Sequence, residues 1–245
     1  MNSRGLCLGI VLAGLLIPSS AVLSATVEAT GYIVNDTTWT GTDTVIVSGF
    51  LIVADTVKLT VEAGARVLFT SGAKLMVQGE VEAEGSSTQR ILFTSSADTT
   101  GGTPVAGAWA GISFEMTGRG SLRHCDFKYA TNSVSALESS PTIERCVMEH
   151  FSVAGCYIDG YDAYPRTTPR VENCIIMQTD PALIGTGNGI VIYRATNVTI
   201  TGCWIRNCRD GLNVNAVGSL TPHFAVTNTD IGDNARYGIY TYAGG

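Results

Sequence analysis

The sequence is poor in charge, in lysine and in any helical period. Charged residues make up 15% of the 245 positions, and lysine occurs only at Lys58, Lys74 and Lys128. The formal net charge is −6, with no basic cluster, and it becomes one unit more negative if a leader carrying Arg4 is removed. That balance excludes nucleic acid and anionic membrane surfaces as partners and leaves neutral sugars, cations and proteins open. No window of helix length places apolar residues at a 3.6 period. Histidine is confined to His124, His150 and His223, a spacing that shows no metal site.

No apolar run is long enough to cross a bilayer, which takes about 20 residues. The longest, Leu6 to Ile17, follows a short segment with a single positive charge and is broken by Pro18-Ser19-Ser20. Small residues around Ser24-Ala25 offer a cleavage site. Residues 1–25 therefore read as a secretory signal peptide, and the protein is expected to be secreted or displayed at the cell surface. Cys7 lies inside that run without a lipobox of small residues before it, so lipidation is not expected.

What the remaining chain has in abundance is repetition. Leu122-Arg123-His124-Cys125-Asp126-Phe127 returns as Ile143-Glu144-Arg145-Cys146-Val147-Met148. It returns again as Val171-Glu172-Asn173-Cys174-Ile175-Ile176 and Ile200-Thr201-Gly202-Cys203-Trp204-Ile205. A fifth copy, Val226-Thr227-Asn228-Thr229-Asp230-Ile231, has Thr in place of Cys. The copies are 21, 28, 29 and 26 residues apart, a period that marks a solenoid, propeller or array. A second column runs through Gly155, Gly189, Gly211 and Gly238, where the glycine marks a positive φ or a close approach of backbone. Upstream lie strands of three to five residues, from Val45-Ile46-Val47 to Ile112-Ser113-Phe114, separated by turns such as Glu62-Ala63-Gly64. Strands this short and this closely set fit an all-β coil rather than a sandwich.

The segments Leu59-Thr60-Val61-Glu62-Ala63-Gly64, Leu75-Met76-Val77-Gln78-Gly79, Ile91-Leu92-Phe93-Thr94-Ser95, Trp109-Ala110-Gly111-Ile112 and Pro141-Thr142-Ile143-Glu144-Arg145-Cys146 carry a family likeness. The chain resembles secreted bacterial right-handed parallel β-helix repeat proteins of the pectate-lyase-like superfamily, over residues 39–245. The resemblance implies an all-β right-handed parallel β-helix of about eight coils. Residues 26–38 would form an N-terminal cap segment. The last residues stop in mid-coil by this register, so a C-terminal truncation is expected. Six cysteines follow the leader: Cys125, Cys146, Cys156, Cys174, Cys203 and Cys208. Four of them share one column, where stacked Cβ vectors run parallel rather than toward each other as a disulfide requires. Buried free thiols are the favoured reading and a disulfide framework the alternative.

The family hosts lyases, hydrolases and proteins without known activity, so fold does not assign function. The resemblance would bring closely set Asp residues with His-Gly and Arg-Ile-Lys for a pectin hydrolase, or Trp-Ile-Asp-His for a pectate lyase. None of these strings is present. His124, Asp126 and Lys128 alternate about the first ladder cysteine and read as a solvated strand face rather than an acid–base trio. His150 and His223 show no partner in the sequence. No catalytic residue, metal ligand set or cofactor is assigned.

The best candidate surface is the outward column beside the glycines. Tyr157, Val191, Asn213 and Tyr240 form one line, and Asp159, Tyr193, Asn215 and Tyr242 the next. The loop 160–166 adds Tyr161, Asp162 and Tyr164. Aromatic faces with Asp and Asn hydrogen bonds suit sugar rings, so Tyr157, Asp159, Tyr161, Asp162, Tyr164, Tyr193, Asn213 and Asn215 are the expected binding residues. A Tyr- and Asn-rich β-surface with no ligand is the alternative. Asp159 and Asp162 would also suit a Ca²⁺. Three functions stay open: a non-catalytic scaffold binding acidic or neutral polysaccharide or an extracellular protein, a polysaccharide lyase or glycoside hydrolase with dispersed residues or residues beyond position 245, and a spacer of a larger extracellular protein.

Overall fold

The computed structural model describes residues 26–98, 101–160, 167–194, 197–217 and 223–244. Residues 1–25, expected as a signal peptide, lie outside the described residues. Among those described, one three-residue 3-10 turn, Ser96–Asp98, is the only helical element, and all else regular is strand.

The chain winds through three parallel faces and returns to the first, turn after turn. The first face stacks residues 44–47 with Arg66–Phe69, Ile91–Ser95, Cys125–Lys128, Val147–Glu149, Ile175–Met177, Trp204–Arg206 and Asp230–Gly232. The second stacks residues 50–53 with Lys74–Val77, Gly111–Glu115, Asn132–Leu137, Ala154–Asp159, Asn188–Tyr193, Asp210–Val217 and Tyr237–Gly244. The third, eight strands deep, runs from Thr37–Trp39 to His223–Thr227. The strand Thr26–Ile33 pairs with both halves of Thr44–Val53 and brings the first two faces to nine rungs each over the described residues. The entry segment is thus strand that stacks on the turn after it, Thr26–Ile33 on Thr44–Val53 and Thr37–Trp39 on Lys58–Glu62.

Parallel in-register pairing puts like on like at about 4.8 Å per rung, and the core follows from that. Val45, Val67, Phe93, Phe127, Met148, Ile176 and Ile205 form one inward column, each fully buried. Val61, Ala83, Leu122, Ile143, Val171 and Ile200 form another on the third face. Aromatics stack on aromatics within the lumen, with Phe69 on Trp109 at 3.9 Å and Phe93 on Phe127 at 5.1 Å between centroids.

Many corners are turned by one residue in the left-handed region. From the third face to the first these are His124, Arg145, Asn173, Gly202 and Asn228, with φ between 48° and 66°. Tyr129, His150, Asn207 and Asp233 turn the next corner, and Met116, Glu138 and Arg194 the last. A single αL residue reverses the pleat and bends the strand without a long loop. The Gly155, Gly189, Gly211 and Gly238 column does not serve this purpose, since none of the four has positive φ. It is a close approach: a Cβ on Gly155 would collide with Ile176 Cγ2 and with the Gly189 carbonyl.

Candidate functional site

The outward positions of the second face stack as the repeat predicts. Tyr157 pairs with Val191, Val191 with Asn213 and Asn213 with Tyr240. Asp159 pairs with Tyr193, Tyr193 with Asn215 and Asn215 with Tyr242. Tyr161, Asp162 and Tyr164 lie outside the described residues. The columns are less open than a row of identical subsites would be. Val191 and Asn213 are each 6% exposed and Asp159 7%, while Tyr242 is 54% exposed. Accessible surface on these rungs is therefore concentrated at Tyr157, Tyr193, Asn215 and Tyr242.

Polar groups on this face are tied to one another. Arg194 Nη2 donates to Asp159 Oδ2 at 2.7 Å, and its guanidinium lies over the Tyr193 ring at 5.0 Å. Burial pushes the Tyr157 phenol above its ordinary value, and the Asp159 carboxylate adds to the shift. One rung on, Asn215 Nδ2 donates to Asn213 Oδ1 at 2.5 Å, and Asn213 Nδ2 to Asp210 Oδ2 at 2.9 Å. Asp210 is fully buried and takes a two-pronged contact from Arg236, at 2.9 Å to Oδ1 and 2.5 Å to Oδ2. Burial alone would raise the Asp210 carboxyl, but hydrogen bonds from Arg236 and Asn213 outweigh it and hold the group below the usual carboxylate range. Arg236 also lies over Tyr237 and Tyr240, at 5.2 and 4.7 Å from their centroids.

Sequence reasoning missed Arg194, Asp210 and Arg236. A signal for Asp210 was present: it occupies the place just before the column glycine, as Ala154 and Asn188 do in the preceding turns. The arginines sit in corners, where the side chain can fold back over the face, and no strand periodicity points to them. Along the same corner that Arg194 turns, Glu115, Met116, Leu137, Glu138 and Asp159 line a concave pocket of about 300 Å³. It adjoins the aromatic column through Asp159.

The other candidates do not assemble into a catalytic set. Asp126 Oδ1 accepts from Arg90 at 2.7 Å, Lys128 faces Glu149 at 3.7 Å, and His124 turns a corner. His150, without a partner in the sequence, has two in the structure: its Nε2 lies 2.9 Å from Thr179 Oγ1, and its ring meets that of Tyr129 at 4.7 Å. Among the described residues no three His, Cys, Asp or Glu side chains converge as a metal site.

A family model of the right handed beta helix region matches residues 110–245. The chain belongs to the right-handed β-helix family. No curated protein and no solved structure matches it. As a β-helix it holds its six described cysteines as free, buried thiols. Four of them take the inward place just after the αL corner residue. Each donates to the carbonyl two residues earlier, as Cys146 Sγ does to Glu144 O at 3.4 Å and Cys174 Sγ to Glu172 O at 3.3 Å. A carbonyl on the preceding turn also accepts, as in Cys203 Sγ to Val171 O at 3.4 Å. Thr229 repeats the bond, its Oγ1 donating to Thr227 O at 2.9 Å. Burial pushes the Cys208 thiol up to about 12 and the Cys156 thiol higher. Burial also raises Cys146, and neighbouring thiols raise Cys174 and Cys203. Thiols held this far from ionisation are inert packing groups rather than nucleophiles.

Proposed function

We propose that this β-helix is a secreted, non-catalytic scaffold that binds an extracellular polysaccharide on the outer surface of its second face. One observation carries the reading. Tyr193, Asn215 and Tyr242 stack one rung apart in one column, with Tyr157 and Tyr240 in the column beside it, while the two buried carboxylates of that face are each held by an arginine, Asp159 by Arg194 and Asp210 by Arg236. A carboxylate fixed in such a pair is poorly placed to take or give a proton, whereas the Tyr157 and Tyr193 rings suit the C–H faces of pyranoses. Secretion is part of the proposal and rests on the apolar run Leu6 to Ile17 with its small-residue boundary.

A glycan array with a parallel assay for new reducing ends and unsaturated products tests it. Binding without product is the expected result. Tyr157→Ala and Tyr193→Ala should each weaken binding about fivefold, equivalent to ~1 kcal/mol for a modest aromatic contact. Cleavage of any polymer would overturn the non-catalytic reading. Binding that survives the double substitution would move the site off this face.

A further inference from the structure

We infer that the pocket at the Met116–Glu138 corner takes an organic ammonium group, and that the glycan bound on this face carries free amines, as a 2-amino-2-deoxyhexose polymer does. The inference rests on the polysaccharide reading above and names the chemistry of its ligand. It departs from the acidic or neutral polymer that the sequence favours.

The pocket has an apolar floor where a repeat of this kind puts polar groups. Leu137 points outward in the column Glu115–Leu137–Asp159, and Met116 is 64% exposed beside it. The left-handed φ values of Met116 and Glu138, 47° and 53°, swing both side chains out of the strand line at the corner. Their backbones are locked rung to rung, Met116 N donating to Leu137 O and Glu138 N to Asp159 O, both at 2.9 Å. The wall is therefore rigid, and the concavity is set by the fold.

Charge bookkeeping supplies the ligand class. Three carboxylates rim the pocket. Lys74 Nζ neutralises Glu115 at 2.9 Å, and Ser113 Oγ also donates to Glu115 at 3.0 Å. Arg194 pairs with Asp159 at 2.7 Å, and each of the two makes a further contact. Glu138 has no ion pair among the described residues, although it is only partly exposed. The pocket thus offers the unpaired Glu138 carboxylate above an apolar floor, on a chain whose formal charge is −6. A cation with an attached carbon skeleton satisfies both halves. A uronic acid would meet the same carboxylate at close range and be repelled. A bare metal ion would gain nothing from Leu137 and Met116. The pocket shares Asp159 with the Tyr157–Tyr193 columns, so one chain can place a ring on the tyrosines and an amine at Glu138.

Titration calorimetry with a hexamer of β-1,4-linked glucosamine and with its fully N-acetylated counterpart tests this, because the two differ only in the amine. The free amine form should bind about tenfold tighter or better, the size of a charge-assisted hydrogen bond. Glu138→Gln should erase that preference, and Glu138→Asp should keep part of it. Tyr193→Ala should weaken both hexamers alike. Equal binding of the two forms, still dependent on Tyr193, overturns the amine inference and leaves the glycan reading standing. Binding of neither hexamer, nor of any glycan on the array, overturns both. Glu138-dependent binding of a lysine-rich peptide without the hexamer assigns the pocket to a protein partner and overturns the glycan ligand.

Discussion

At the level of single residues, the cysteine column is a place where a thiol and a hydroxyl make the same bond. The position needs a small group that fills the lumen and donates to the carbonyl two residues back. Cys125, Cys146, Cys174 and Cys203 do this with sulfur and Thr229 with oxygen. Thr229→Cys should therefore change stability by less than about 0.5 kcal/mol, as measured by denaturant unfolding. Cys146→Asp places an unpaired charge between packed turns and should abolish the cooperative transition or lower stability by more than ~4 kcal/mol. Thiol counting on denatured, unreduced protein should recover nearly all six cysteines after residue 25, and recovery of two or fewer would contradict the free-thiol column. Asp210 gives a pH signature. Its carboxyl is depressed in the folded state, so its contribution is full above the unfolded value near pH 4 and is lost as pH falls below that. Asp210→Asn should cost about 2 kcal/mol at pH 7, where a neutral amide leaves the Arg236 guanidinium one acceptor in place of two charged ones. The penalty should shrink in acid unfolding curves below about pH 4, and a penalty unchanged down to pH 2 would remove Asp210 from the account.

At the level of elements, the strands are short because the corners end them. Many corners rest on one residue with positive φ, and the sequence tolerates His, Arg, Asn and Gly in the same corner column. A β-branched residue there is a steric outlier. Asn173→Val should cost about 1–3 kcal/mol by thermal or chemical unfolding, while Asn173→Gly should be neutral or mildly stabilising. The inward columns were legible from sequence, since parallel stacking repeats side-chain type at every turn, and the pairs Tyr157–Val191 and Tyr193–Asn215 fall where the glycine column puts them. The closure of the face was not legible. Asn213 looks like an open amide in the sequence, yet it is nearly buried because its neighbours Asp210 and Asn215 bond to it side by side. Arg194 and Arg236 reach the face from corners, and strand alternation carries no information about corner side chains. The Glu138 pocket was missed for the same reason: it exists only because two successive turns bend at equivalent residues.

At the level of the whole molecule, strand pairing joins each turn to the turns above and below, so stability accrues rung by rung rather than through one central core. Strand hydrogen bonds run along the rod, and the side chains that face solvent form lines parallel to its axis. A polymer laid along such a line meets related groups at a regular advance, which a compact globular surface does not provide. Loops of differing length enter at the corners, as between Met177 and Asn188, and in an early turn the corner from the third face to the first takes one as well, between Glu84 and Ile91. From His124 onward that third corner behaves differently. In five successive turns it is built from one left-handed residue and one inward thiol or hydroxyl, with no insertion. That corner acts as a timing mark. However many residues a loop adds elsewhere, the winding re-enters phase at the same point, so error in one turn is not passed to the next. Lengthening a loop is then a local edit, whereas a single residue inserted between Arg145 and Cys146 would strike the one corner that resets its own turn.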